Sequence, residues 1–228
     1  STNDGILNQL ITAIYNADRA GADIIIDKWI AENDYKQLFS EVLEPVMLTV
    51  GDKWNRCENF TIAQAYVAGK IVEDAYNKVM DLFVSSRSEI PLTKGPIVIG
   101  NIEDDFHSLG RRMITTFLQF NGWKVHDLGN DVPAEEFVDK AIETGARAIG
   151  VSALTLSTAR NIRKVREEIE RRGLHGQIQL AVGGAVFLVY PELAEDVGGD
   201  GTARNAMECI ELFERLWNNA TKEMVHTS

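Results

Sequence analysis

The hydrophobic period changes part-way along the chain, and no single class of secondary structure can satisfy both halves. From Gly5 to about Val84, apolar residues recur three and four apart. Leu7, Leu10, Ile11 and Ile14 form one set, and Ile25, Ile26, Trp29 and Ile30 a second. Leu38, Phe39, Val42 and Leu43 form a third; the last runs through Ile62, Tyr66, Gly69, Val72, Tyr76, Val79 and Phe83. That spacing lays each set along one stripe of a helix. Breaks are expected at Gly21, at Glu32-Asn33-Asp34 and around Pro45 to Gly51. Four or five amphipathic helices joined this way predict a small bundle.

The stretch 85–96 is polar and holds Pro91 and Pro96, so it reads as a linker. Beyond it, β-rich runs at 97–100, 123–128, 148–152 and 178–182 alternate with helical patterns at 108–121, 134–145 and 158–172. A last helix covers about 203–217. Alternation of strand and helix implies βαβ crossovers, hence a parallel sheet covered on both faces. The fold expected is α + α/β: an N-terminal helical bundle over 1–88, then a Rossmann-like (flavodoxin-like) doubly wound domain over 89–228.

Composition narrows the partners. The formal net charge of −11 opposes general affinity for nucleic acid or an anionic membrane surface. The two cysteines, Cys57 and Cys209, lie far apart and suggest neither a disulfide framework nor a thiolate zinc site. The N-terminus carries no basic-then-apolar leader pattern and no apolar run reaches membrane-spanning length, so a cytoplasmic location is expected.

Ligands of doubly wound folds bind outside the carboxyl ends of the strands. Here the first strand runs into Asp105-Phe106-His107-Ser108-Leu109-Gly110, the third into Ser152-Ala153-Leu154 and the fourth into Gly183-Gly184. A loop histidine at a strand end can aim one ring nitrogen into the crevice, and a carboxylate two residues before it can hold the other ring N–H. A glycine pair lets a bulky ligand approach the backbone. Gly110 would let the first helix pack closely on the loop or on the ligand. Neither GxGxxG nor GxxxxGK[ST] occurs, which argues against the commonest nucleotide sites.

Asp105-x-His107-x-x-Gly110, Ser152-x-Leu154 and Gly183-Gly184, with 41 residues between Gly110 and Ser152 and 28 between Leu154 and Gly183, resemble the cobalamin-binding domain of methionine synthase and related corrinoid proteins. The resemblance implies cobalamin (methylcobalamin/cob(I)alamin) as cofactor, with its nucleotide tail buried in the domain. It implies His107 as the cobalt ligand, Asp105 as its partner, and Ser108, Leu109 and Gly110 at the cofactor. It also implies Ser152 and Leu154 at the buried base, Thr158 as an extension of the His–Asp relay, and Gly183 and Gly184 making room for the tail.

Val50-Gly51-Asp52-Lys53-Trp54 is similar to a stretch of the helical cap found in methyl-carrying corrinoid proteins. By that likeness Trp54, Phe60 and Tyr66 are candidates for covering the reactive face of the corrin. The chain departs from the family pattern at Asp104, where glycine is usual, and at Ser108-Leu109-Gly110-Arg111-Arg112, where Asp-Ile-Gly-Lys-Asn is usual.

The resemblance implies a methyl carrier between a substrate-specific methyltransferase and a corrinoid:acceptor methyltransferase using tetrahydrofolate or a thiol, with a reductive activase as a further partner. Such a protein is not expected to turn over alone. The alternative is a cobalamin-dependent sensor, which the identity of the retained cofactor would separate from a carrier.

Overall fold

The computed structural model describes residues 3–56, 61–86 and 89–226. The chain divides into two compact units, Ser1–Glu89 and Ile90–Ser228.

In the first unit the helices are α1 (Asn3–Tyr15), α2 (Arg19–Glu32), α3 (Glu44–Asn55) and α4 (Ile62–Ser86), with a 3-10 turn at Tyr35–Gln37 and a π turn at Phe39–Leu43. Asp18 starts α2 by accepting a hydrogen bond from the Gly21 backbone at 2.8 Å, so Gly21 sits inside the first turn rather than at a break. Asp34 likewise accepts from Lys36 N at the 3-10 turn. The apolar stripes converge as their spacing requires. Leu10, Ile14, Ile26, Trp29, Leu38, Val42, Val72 and Val79 are all buried, and α1 packs on α2, α3 and α4.

The break expected around Pro45 to Gly51 is absent, because α3 runs through it. Pro45 is the second residue of α3, where a missing N–H is tolerated. The wider π turn ends just before it, with Glu44 N bonded to Phe39 O. The expected linker is also shorter than 85–96: Ser85 and Ser86 end α4, and Lys94–Pro96 already belong to the first strand. Pro96 is accommodated there because the register shifts between Lys94 and Ile97, so no regular ladder position needs its N–H.

The second unit holds β1 (Lys94–Asn101), α5 (Ser108–Phe120), β2 (Trp123–Asp127), α6 (Ala134–Thr144) and β3 (Ala148–Ser152). These are followed by α7 (Leu156–Asn161), α8 (Arg163–Arg171), β4 (Gln179–Gly183), α9 (Ala185–Val189), α10 (Leu193–Asp196), β5 (Gly201–Thr202) and α11 (Ala206–His226). The helix expected at 158–172 is two helices meeting at Ile162, and the last begins at Ala206 because Gly201–Thr202 pair with β4.

All strand pairs are parallel, in the order β2-β1-β3-β4-β5. This is the flavodoxin-like order, whose direction of winding reverses between β1 and β3. Strands covered on both faces carry nearly continuous apolar runs. Val98, Ile149, Val151, Leu180 and Val182 share a core with Phe137 and Val138 on α6, Val165 and Ile169 on α8, and Ile162 between α7 and α8. α5 and α11 pack on the sheet from elsewhere in the unit, bringing Phe213 and Trp217 against Trp123. Among the described residues no helix is long and apolar enough to cross a membrane.

Candidate functional site

The loop from β1 to α5 lies at the switch point, and one sharp bend shapes it. Asp104 has φ 69°, in the left-handed region, and its N–H donates to Asp131 Oδ1 at 2.8 Å. Aspartate tolerates this conformation better than most residues, which explains how it stands where glycine is usual. The bend carries Asp105 inward until its side chain is fully buried, while His107 remains 59% exposed at the start of α5.

The Asp105 carboxylate is saturated with donors. Oδ1 accepts from Asn101 Nδ2 at 2.7 Å and from His107 N at 3.0 Å. Oδ2 accepts from Leu154 N at 2.7 Å and from Thr158 Oγ1 at 3.1 Å. Burial is the largest influence and pushes this carboxyl up, but the bonds from Leu154, His107, Asn101 and Thr158 together outweigh it and hold it below the usual carboxylate range. A depressed carboxyl stabilises the fold above the ordinary carboxylate range, and that contribution is lost as pH falls through its lowered folded value.

His107 Nδ1 stands 3.4 Å from Asp105 Oδ1. This contact turns Nδ1 toward the buried carboxylate and leaves Nε2 as the nitrogen on offer to a ligand. A largely exposed imidazole with one nitrogen turned to a carboxylate is suited to offer the other to a metal centre carried in a bulky cofactor. Thr158, six residues beyond Ser152, does reach the pair, through a capping box with Thr155 that orients its hydroxyl. Leu154 serves Asp105 with its backbone N–H, and its side chain is partly exposed. Ser152 is half-buried at the end of β3 and its carbonyl accepts from Ile102 N at 3.1 Å, tying the first and third strand ends together. Ser108 and Leu109 are half-buried in the first turn of α5.

The glycines separate into different jobs. A Cβ on Gly184 (φ 111°) would lie 2.0 Å from Ala153 O, so this residue lets the ends of β3 and β4 approach. A Cβ on Gly183 would meet no protein atom within 4 Å. The same is true of Gly110, so close packing of α5 on the loop is not its reason, and space on the open side remains. In the helical unit, Tyr66 is exposed on α4 with Lys70 Nζ 5.8 Å above its ring. Phe60 and the side chain of Trp54 lie outside the described residues.

The sequence reading missed Asn101, Arg111 and Thr202. Asn101 is fully buried and Arg111 nearly so, and the two are bonded to each other beside Asp105. The available signals were a polar residue closing the apolar run of β1 and an arginine four residues after His107. Thr202, paired in register with Val182, has a buried hydroxyl without a hydrogen-bond partner. Open space over Gly183 and Gly110, an unsatisfied hydroxyl by Val182 and one outward imidazole nitrogen fit a large tailed cofactor with a metal to ligate.

Fold and site together define a protein of the corrinoid-binding class. Residues 95–211 match a family described as B12 binding domain, and residues 6–81 match a second family of the same description. The chain belongs to the B12-binding family, and its cofactor is cobalamin. It is 30% identical over 213 residues to dimethylamine corrinoid protein 3 of Methanosarcina acetivorans, covering 93% of this chain and 97% of that protein. The monomethylamine corrinoid protein of Methanosarcina barkeri is similar in structure, with a TM-score of 0.72 and 27% identity over 92% of this chain and 98% of that one. A cobalamin-binding protein of Desulfitobacterium hafniense gives a TM-score of 0.52 at 25% identity, over 92% of this chain and 98% of that one.

Proposed function

We propose that this protein is a methyl carrier working between a substrate-specific methyltransferase and a second methyltransferase whose acceptor is tetrahydrofolate or a thiol. The observation that carries this reading is the near full-length likeness to a dimethylamine corrinoid protein, joined to a His107 whose Nε2 is free and whose Nδ1 faces a buried carboxylate. When bound, cobalamin supplies the cobalt centre through which a methyl group is accepted and given up. His107 would hold that cobalt through Nε2, since Nδ1 faces Asp105. Asp105 fixes the ring orientation, and Thr158 and Leu154 N fix Asp105. Ser152, Leu154, Gly183 and Gly184 border the cofactor tail, as do Ser108, Leu109 and Gly110 nearer the cobalt. The helical unit acts as the cap, with Trp54, Phe60 and Tyr66 as its candidates for shielding the reactive face.

The test is reconstitution with hydroxocobalamin, chemical reduction, and addition of methylamines with and without a cognate methyltransferase. The protein alone should methylate nothing, and the two together should give the spectrum of methylcobalamin. Retention of adenosylcobalamin with light-dependent assembly, and no methylation with any methyltransferase, would identify a sensor instead.

Asp105→Asn tests the pair directly. An amide in place of the carboxylate must point an NH2 group at donors that now bond to oxygen. Loss of such an outer partner typically costs ~10–100-fold in metal affinity or activity. The cofactor should remain bound, and the share of reduced cobalt with histidine attached should fall at one fixed pH, as followed by visible spectra. An unchanged share would remove Asp105 from this role.

A further inference from the structure

We infer that Arg111, acting through Asn101, is a positioning residue for the Asp105–His107 pair. The inference rests on the reading of His107 as the cobalt ligand and adds a part that the Asp-x-His motif does not contain.

The argument begins with hydrogen-bond polarity. An asparagine amide has an acceptor end and a donor end of nearly equal size, so only its neighbours decide which way it points. Arginine carries donors alone. Arg111 Nε donates to Asn101 Oδ1 at 2.6 Å, which forces the Asn101 NH2 to the opposite side. There it donates to Asp105 Oδ1 at 2.7 Å and to the His107 carbonyl at 3.3 Å. With the amide reversed, its oxygen would face the Asp105 carboxylate and its NH2 would face the guanidinium. Both contacts would be between like groups. The chain of bonds therefore runs one way, from Arg111 through Asn101 to Asp105, and it also grips the main chain of the ligand histidine.

Arg111 is held in turn. Its guanidinium pairs with Asp127 at the end of β2 and donates to Asn130 Oδ1 at 3.3 Å. Arg111 and Asn101 are 6% and 0% exposed, so water cannot substitute for these bonds. The arginine also sits at the amino-terminal end of α5, where the helix macrodipole disfavours a cation. The ion pair with Asp127 answers for the charge, and the remaining Nε–H is the donor turned to Asn101.

The experiment uses full-length protein loaded with hydroxocobalamin and reduced to cob(II)alamin at one fixed pH. Electron paramagnetic resonance gives the fraction showing nitrogen superhyperfine splitting from a histidine ligand. Arg111→Met should retain the cofactor but lower the ratio of ligated to unligated cobalt about threefold to tenfold, less than loss of a direct partner. Asn101→Leu should do the same. Because Arg111 acts through Asn101, the double variant should lose no more than the larger single one, whereas independent effects would add. If Asp127 left unpaired unfolds Arg111→Met, the same ratio is read in Arg111→Met/Asp127→Asn. An unaltered ratio in a folded Arg111 variant, or additive losses, would overturn the inference while leaving His107 as ligand. An unsubstituted protein with no nitrogen splitting would overturn both.

Discussion

Replacing His107 with alanine should abolish the nitrogen superhyperfine splitting of bound cob(II)alamin and leave the protein folded with its cofactor in place. The imidazole is 59% exposed, so its removal uncovers little core, and substitutions at such positions are usually within about 0.5 kcal/mol in stability. Asp105 keeps its bonds from Asn101, Leu154, Thr158 and the backbone N–H at residue 107, since that last donor belongs to the main chain. The atom proposed to face the metal is therefore deleted without dismantling the loop behind it. The measurement is low-temperature electron paramagnetic resonance of the reduced, reconstituted variant beside the unsubstituted protein. An identical nitrogen pattern in the two would assign the ligand to another residue.

Adjacent glycines should fail in opposite ways. Gly183→Leu should leave the cofactor-free protein as stable as before and eliminate cobalamin retention on gel filtration. Its Cβ enters space that no protein atom within 4 Å occupies, at the end of β4 where the tail of the cofactor is proposed to lie. Gly184→Ala should instead lower the melting temperature before any cofactor is added. A left-handed conformation held by a residue with a Cβ costs of order 1–3 kcal/mol. Here the new Cβ would also stand 2.0 Å from the Ala153 carbonyl oxygen, a contact that only backbone movement can relieve. Full cobalamin retention by Gly183→Leu would place the tail elsewhere.

Hydrophobic period carried most of the architecture. Four sets of apolar residues spaced three and four apart became buried faces of the helical unit, except that Ile62 and Tyr66 at the start of α4 are exposed, and the longer β-rich runs became β1 to β4. Period could not find β5, because a two-residue strand is shorter than any repeat, and it mistook Pro45 for a break because a helix's first turn does not need the missing N–H. Gly51 does not interrupt α3 either, and a Cβ there would meet nothing within 4 Å.

The local part of the site was legible for a comparable reason. Asp105 and His107 are two residues apart, so a single bend suffices to bring carboxylate and ring together, and a short motif can encode it. Thr158 and Leu154 N lie about fifty residues from Asp105 along the chain. They reach it because β1 and β3 pair in parallel, with Asn101 opposite Ser152. That register is set by how side chains of both strands pack against α6 and α8, a property of the whole unit rather than of any segment.

The sequence by itself determined the class of fold and the order of its longer elements, which follow from short-range periodicity, and it set Asp105 two residues before His107. Only the tertiary structure decided which polar groups surround Asp105, that Asn101 and Arg111 join them, and that two neighbouring glycines serve a backbone contact and an open space. Hydrogen-bond partners and close approaches are made between strand ends distant in sequence, and they exist only once the sheet has set its register.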